Sequence, residues 1–218
     1  IAFLEKYNSD YFQTKVDIVI GFSKETKNLP IMVAHLDNVL NGERIPIWSL
    51  SGRKLMGKDA GIGFDDKAGI IGIIQLWKAF KQQKFRIIFT AQEEIGGVGA
   101  HKMDPQRLNG AKWIIELDRK SNNDLIQTSG STRLCSDEFA QKLLDLGFKK
   151  ATGTFTDLNV FKGYKPEINM ANLSIGYYNP HTDNEYLDVV DFDNTVNSVA
   201  EFISRDYIFD DDKEDKPQ

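Results

Sequence analysis

Phe85-Arg86-Ile87-Ile88-Phe89-Thr90-Ala91-Gln92-Glu93-Glu94 is an apolar, strand-like run that ends on two adjacent carboxylates. Its reading, taken with the segments on either side, decides the fold. Before it, residues 66–83 carry Ile70, Ile71, Ile74, Leu76, Trp77 and Phe80 as a broad apolar helical face, with Asp65 and Asp66 favourably placed at the N-terminus. After it, residues 96–103 are glycine-rich and then briefly helical, and residues 112–117 read as a second buried strand. Strand, helix, strand in that order implies right-handed crossovers and a partly parallel sheet. The expected class is α/β, a three-layer α/β/α sandwich with a mixed, mostly parallel central sheet.

Working outward, residues 16–22 alternate like a strand and residues 29–34 read as its partner, entered through Pro30. Asn41-Gly42 marks a tight turn before a strand at 44–48, and the glycines at 52, 57, 61 and 63 make residues 51–63 a loop. Ser136-Asp137-Glu138 starts a helix that Gly147 stops, residues 152–155 and 168–175 are strand candidates, and a helix over 189–203 closes the fold. Residues 209–218, with Asp210 to Asp212, Glu214 and Asp215, are too charged to pack and read as a solvated tail after one domain spanning 1–208.

Open sheets of this kind place ligands at the carboxyl ends of their strands. Metal-ligand-type side chains stand at several such ends: His35 after 29–34, Glu93 and Glu94 after 85–90, Asp118 after 112–117, and His181 after 168–175, with Asp65 opening the helix. Two imidazoles and three carboxylates suffice for two zinc ions, because both groups are normal zinc donors and a shared carboxylate offsets the repulsion between two dications. Two ions roughly 3.5–4 Å apart can activate one water between them. His35 alone reads as readily as a structural histidine. Asp37 lies two residues on, however, on the same strand face, where it can hold the other imidazole nitrogen. Asp65-Asp66 reads equally as a helix cap, which needs only one of the two. Adjacent glutamates after an apolar strand have no packing role and repel each other. The glycines of 57–63 lack the lysine pattern of a phosphate loop.

Five segments together resemble the co-catalytic zinc exopeptidases, the group that holds peptidase T, zinc aminopeptidases and amino-acid deacylases. They are His35-Leu36-Asp37, Gly63 to Gly69, Thr90 to Gly96, Leu117-Asp118 and Tyr178 to Glu185. Peptidase T is the nearest match by eye. The resemblance implies that Asp65 bridges two divalent ions, zinc or else cobalt or manganese. One ion would also take His35 and Asp118, the other Glu94 and His181. It implies Glu93 as general base, Asp37 and Glu185 as supports of the ligands, and a short peptide or an N-acyl amino acid as substrate. Thr156-Asp157 resembles the family's substrate-facing Gly-Gly-Thr-Asp-Gly but lacks its flanking glycines. Arg133, Tyr177 and Tyr178 are candidates to stabilise an oxyanion, whereas His101 matches no ligand position. The lid or dimerisation insert that many members carry between the segments of Asp118 and His181 has no counterpart, so a monomer is expected. A binding homologue without catalysis is the reading from another class.

Composition narrows the alternatives. The 218 residues are 41% hydrophobic and carry a formal charge of −5 with scattered lysines, which gives no basic footprint for nucleic acid. Cys135 is the single cysteine, which excludes an internal disulfide or a thiolate zinc site and points to a reducing compartment such as the cytoplasm. No apolar run reaches the roughly 20 residues of a membrane span, so no membrane partner is expected. The sequence opens on Ile1 rather than Met, which leaves room for a leader removed earlier.

Overall fold

Successive residues of Ile31-Met32-Val33-Ala34 point to opposite faces of a strand, and both faces are buried. Met32 and Ala34 join one apolar cluster, Ile31 and Val33 another. Such a strand belongs in a sheet covered on both sides. The structure is a computed structural model that describes residues 10–13, 17–21, 28–39, 46–48, 52–58, 60–81 and 84–209. With strands and helices numbered in chain order, these residues form β3 (Leu29–His35) at the centre of the main sheet.

That sheet runs β1 (Asp10–Gln13), β2 (Asp17–Gly21), β6 (Arg86–Thr90), β3, β7 (Ala111–Arg119), β11 (Met170–Ser174), β8 (Asp124–Ser129) and β10 (Lys149–Gly153), with β9 (Thr132–Arg133) against β8. β6, β3, β7 and β11 are parallel, and β2 and β8 flank them antiparallel. One face is covered by α1 (Phe64–Ala79), α3 (Asp137–Leu144) and α5 (Val189–Arg205), whose Trp77, Phe139 and Phe202 are fully buried. The other is covered by α2 (Val98–Lys102), a 3-10 turn over Pro105–Leu108 and α4 (Asp157–Tyr164). The sheet is mixed and mostly parallel at its centre, between two helical layers, as the apolar patterns require.

The chain passes from β3 to β6 by way of α1 on one face and returns past β3 to β7 by way of α2 on the other. The carboxyl ends of these strands therefore border a crevice where the winding reverses. Gly69 seats α1 against β7: a Cβ there would lie 2.1 Å from the carbonyl oxygen of Leu117, beside Asp118. Above the crevice a second, antiparallel sheet runs β12 (Tyr177–Tyr178), β13 (Tyr186–Asp188), β5 (Lys54–Gly57) and β4 (Pro46–Trp48).

Several local expectations change. β2 pairs with β1 and β6, not with β3, because β3 is taken on both edges by parallel neighbours. Lys54–Gly57, read as loop among its glycines, is the strand to which β4 pairs. Asp157–Tyr164, which the sequence patterns leave unassigned, is a helix started by Thr156, whose side chain and that of Asn159 form a reciprocal cap. Phe209, read as the first residue of a solvated tail, packs with its ring centroid 4.9 Å from that of Phe139. The turn at Asn41-Gly42 and residues 210–218 lie outside the described residues.

Candidate active site

His35 ends β3 and is almost wholly buried. Its backbone N–H donates to Asp66 Oδ2 at 3.1 Å, while Asp66 Oδ1 accepts the N–H of Gly69 at 3.0 Å. Asp65 and Asp66 are themselves non-helical, so this second contact caps the regular part of α1. One side chain thus fixes both the end of the strand and the start of the helix. The Asp65–Asp66 peptide between them is cis. Glu185, just before β13, accepts N–H groups from Gly63 at 2.6 Å and Asp65 at 3.2 Å, which holds the Asp65 backbone from the second sheet.

The side chain of Asp65 lies between two imidazoles. Its Oδ1 is 2.9 Å from His35 Nε2, and its Oδ2 is 3.1 Å from His181 Nε2. His35 Nε2 is also 3.4 Å from Asp118 Oδ1, and His181 Nε2 is 3.0 Å from Glu94 Oε1. His181 reaches this position from the turn between β12 and β13, where Asn179 and His181 both have positive φ. Donor atoms of His35, Asp65 and Glu94 lie within 4.8 Å of one another, as do those of His35, Glu93 and Asp118. The five residues read from sequence as ligands, with Glu93, are therefore brought together.

Asp37 does more than its spacing suggested. Its Oδ1 lies 3.6 Å from His35 Nδ1, an ion-pair contact with the second imidazole nitrogen. It also accepts the backbone N–H groups of Glu93 at 3.1 Å and Glu94 at 3.3 Å. It fastens the glutamate-bearing turn to the end of β3.

The electrostatics are those of a crowded anionic site. Burial and then the charge of Asp118 push the carboxyl of Glu93 up to about 9. Burial, opposed by His35, raises Asp118 to about 6. Burial and Asp65 raise Glu94, and burial with Asp118 pushes Asp66 and Glu116 well above the usual carboxylate range. On His35 burial acts downward, but the charge of Asp118 and the hydrogen bonds its ring donates to carboxylates outweigh it and favour the imidazolium. One imidazolium does not balance so many carboxyl groups. The missing positive charge, and a donor set of carboxylate oxygens and imidazole nitrogens, fit divalent ions of the zinc type.

Not every candidate joins the cluster. Arg133 is engaged with the Cys135 carbonyl at 3.0 Å and with Asp137 at 3.1 Å, at the start of α3. Tyr178 donates to Asp191 at 2.6 Å and stacks on Tyr186. Neither points to the carboxylates, because each has a closer acidic partner on a neighbouring helix. Tyr177 does reach them, its phenol donating to Asp118 Oδ1 at 3.3 Å. Thr156 and Asp157 are buried rather than open to a substrate: the Thr156 hydroxyl bonds the Glu116 carboxylate, and burial raises Asp157 to about 6. His101 is exposed on α2, and its carbonyl accepts the Tyr164 hydroxyl. Asn172 went unread, although an Asn inside the apolar run Met170–Ser174 is a signal. Its amide clamps Asp118, accepting its N–H at 3.1 Å and donating to its carbonyl at 3.3 Å.

No family model matches the sequence, and no curated protein does. Solved structures do match. The aminopeptidase PepT of Bacillus cereus superposes with a TM-score of 0.71 at 14% identity, over 93% of this chain and 90% of that one. A tripeptidase of Staphylococcus aureus gives 0.72 at 13%, with the same coverage. A TET aminopeptidase from a marine-sediment Thaumarchaeota archaeon gives 0.74 at 12%, over 94% and 89%. The chain has the fold of these peptidases. Within that fold, the strands that lead to His35, Glu93, Glu94 and Asp118 are the central parallel ones. Among the described residues no helix is long and apolar enough to cross a membrane.

Proposed function

We propose that the chain is a metal-dependent peptidase that removes the N-terminal residue of short peptides. The observation that carries this reading is the meeting of His35 and His181 on the two oxygens of Asp65, 2.9 and 3.1 Å away. Asp65 would be shared by two divalent ions, with His35 and Asp118 holding one and His181 and Glu94 the other. Zinc suits the donors best, and cobalt or manganese accepts the same groups. Ions bound there supply Lewis acidity toward a carbonyl and lower the pKa of water.

The remaining work falls to the chain itself. Glu93, held by Asp37 through its backbone and close to His35 and Asp118, takes a proton from the attacking water and returns it to the leaving amine. Tyr177 and Asn172 keep Asp118 turned toward His35, and Glu185 keeps Asp65 between the two imidazoles. The peptidase names of the structural neighbours favour a peptide bond over the N-acyl amino acid that the same machinery would also cleave.

The test is elemental analysis after incubation with excess zinc or cobalt, combined with assays on short peptides and N-acyl amino acids, with and without a chelator. About two ions per chain and chelator-sensitive release of N-terminal residues are expected. One ion or none counts against the site, and hydrolysis confined to N-acyl substrates makes the chain a deacylase.

A further inference from the structure

Seven large apolar side chains are exposed among the described residues, and four of them are neighbours in sequence of the site: Leu36, Val39, Ile95 and Phe155. Leu36 lies between His35 and Asp37, Val39 two residues beyond Asp37, Ile95 directly after Glu94, and Phe155 directly before Thr156. The backbone ties these segments together. Leu36 N–H donates to the carbonyl of Thr90 at 2.9 Å, and Asp37 holds the N–H groups of Glu93 and Glu94. The carbonyl of Glu93 accepts from Gly96 at 2.8 Å and Gly97 at 2.9 Å, closing the turn that displays Ile95. On Gly97 rests the ring of Phe155, so closely that a Cβ there would come within 2.9 Å of it. The glutamate turn and Phe155 thus meet beside the carboxylates.

Ile95 is 67% exposed and Phe155 43% exposed, on a protein that buries Phe139, Phe161 and Phe202 completely. Apolar groups left in water together at the border of a buried polar cluster are the ordinary makings of a ligand subsite. Burying a carboxylate against such apolar groups carries a desolvation cost, so an acidic side chain is disfavoured there. We infer that Ile95 and Phe155, on the glutamate turn and against it, form the subsite for a large apolar side chain of the substrate, so that the enzyme selects peptides beginning with leucine, phenylalanine or a similar residue. This selectivity rests on the peptidase reading above.

Two measurements on the zinc-loaded full chain test it. In the first, tripeptides that share a glycylglycine tail and begin with leucine, phenylalanine, alanine or aspartate are compared by kcat/KM. In the second, binding of the free amino acids is followed by calorimetry, which needs no turnover. Leucine and phenylalanine are expected to exceed alanine by about 10-fold or more, the discrimination an apolar pocket gives for added aliphatic bulk, with aspartate weakest. The double variant Ile95→Ser, Phe155→Ser is expected to lose that preference through KM while its alanyl-peptide kinetics and metal content stay within about twofold of the parent. Equal binding of all four amino acids, or equal losses on leucyl and alanyl peptides in the variant, overturns the subsite. A leucine preference in binding with no peptide cleaved retires the peptidase reading and leaves the subsite standing.

Discussion

Asp37 acts on the site through the backbone of the glutamate turn as well as through its ion pair with His35, and the backbone part has measurable consequences. Both of its oxygens take N–H groups of the glutamate turn; burial works upward on its carboxyl, but His35 and then the Glu93 N–H hold it at about 2. Asp37→Ala is expected to release Glu93 and Glu94 together, weakening metal affinity by roughly 10–100-fold, the usual effect of removing a ligand's support. Competition with a chelator measures it, and unchanged affinity would mean that the turn is held by other contacts. Glu93→Gln keeps the shape of the side chain and removes its base. Turnover should fall by about 10²–10⁴-fold with metal content unchanged, and a kcat equal to the parent's removes Glu93 from the mechanism.

The turn after β6 works only because Gly97 lacks a side chain. Its φ is +66°, and a Cβ would meet both the Phe155 ring and Asp157 Oδ1 at 2.9 Å. Gly97→Ala is therefore expected to cost about 1–3 kcal/mol through a left-handed backbone and these two contacts. In urea the midpoint should drop without a change of slope, and a variant as stable as the parent would show that α4 gives way freely. At the scale of elements the sequence was legible wherever a long apolar run or helical period dominated, as in β6, β7, α1 and α5. It was not legible where polar contacts made the element. α4 depends on the reciprocal cap of Thr156 and Asn159, and β5 on pairing with β4 and β13 across long loops. The ligand positions were readable because they sit at strand ends in a recognisable order. The buried partner of Asp118, Asn172, was harder to read because its hydrogen bonds to a neighbouring strand leave no periodic trace.

For the whole molecule, the stretch between Asp118 and His181 is consumed by β8 to β12 with α3 and α4, all built into the two sheets and their helical layers. No lid is left over within it, so catalysis is proposed to be complete in a single chain. Specific activity should hold constant through a dilution series followed by sedimentation, and activity that decays as an assembly dissociates would show that a neighbouring chain completes the site. The two sheets also divide the cluster between them. His35, Glu94 and Asp118 belong to the main sheet, whereas His181 and Glu185 come from the connection between β12 and β13. Ions shared through Asp65 would accordingly act as rivets between two separately hydrogen-bonded bodies. Zinc loading is expected to slow amide exchange at Tyr186–Asp188 and Lys54–Gly57, strands that hold no ligand themselves, more than in β8 or β10. Exchange unaltered in the small sheet, with metal demonstrably bound, would mean that it is anchored without help from the ions. If the rivets hold, metal supply governs not only the chemistry of this protein but whether its smaller half stays closed over the larger.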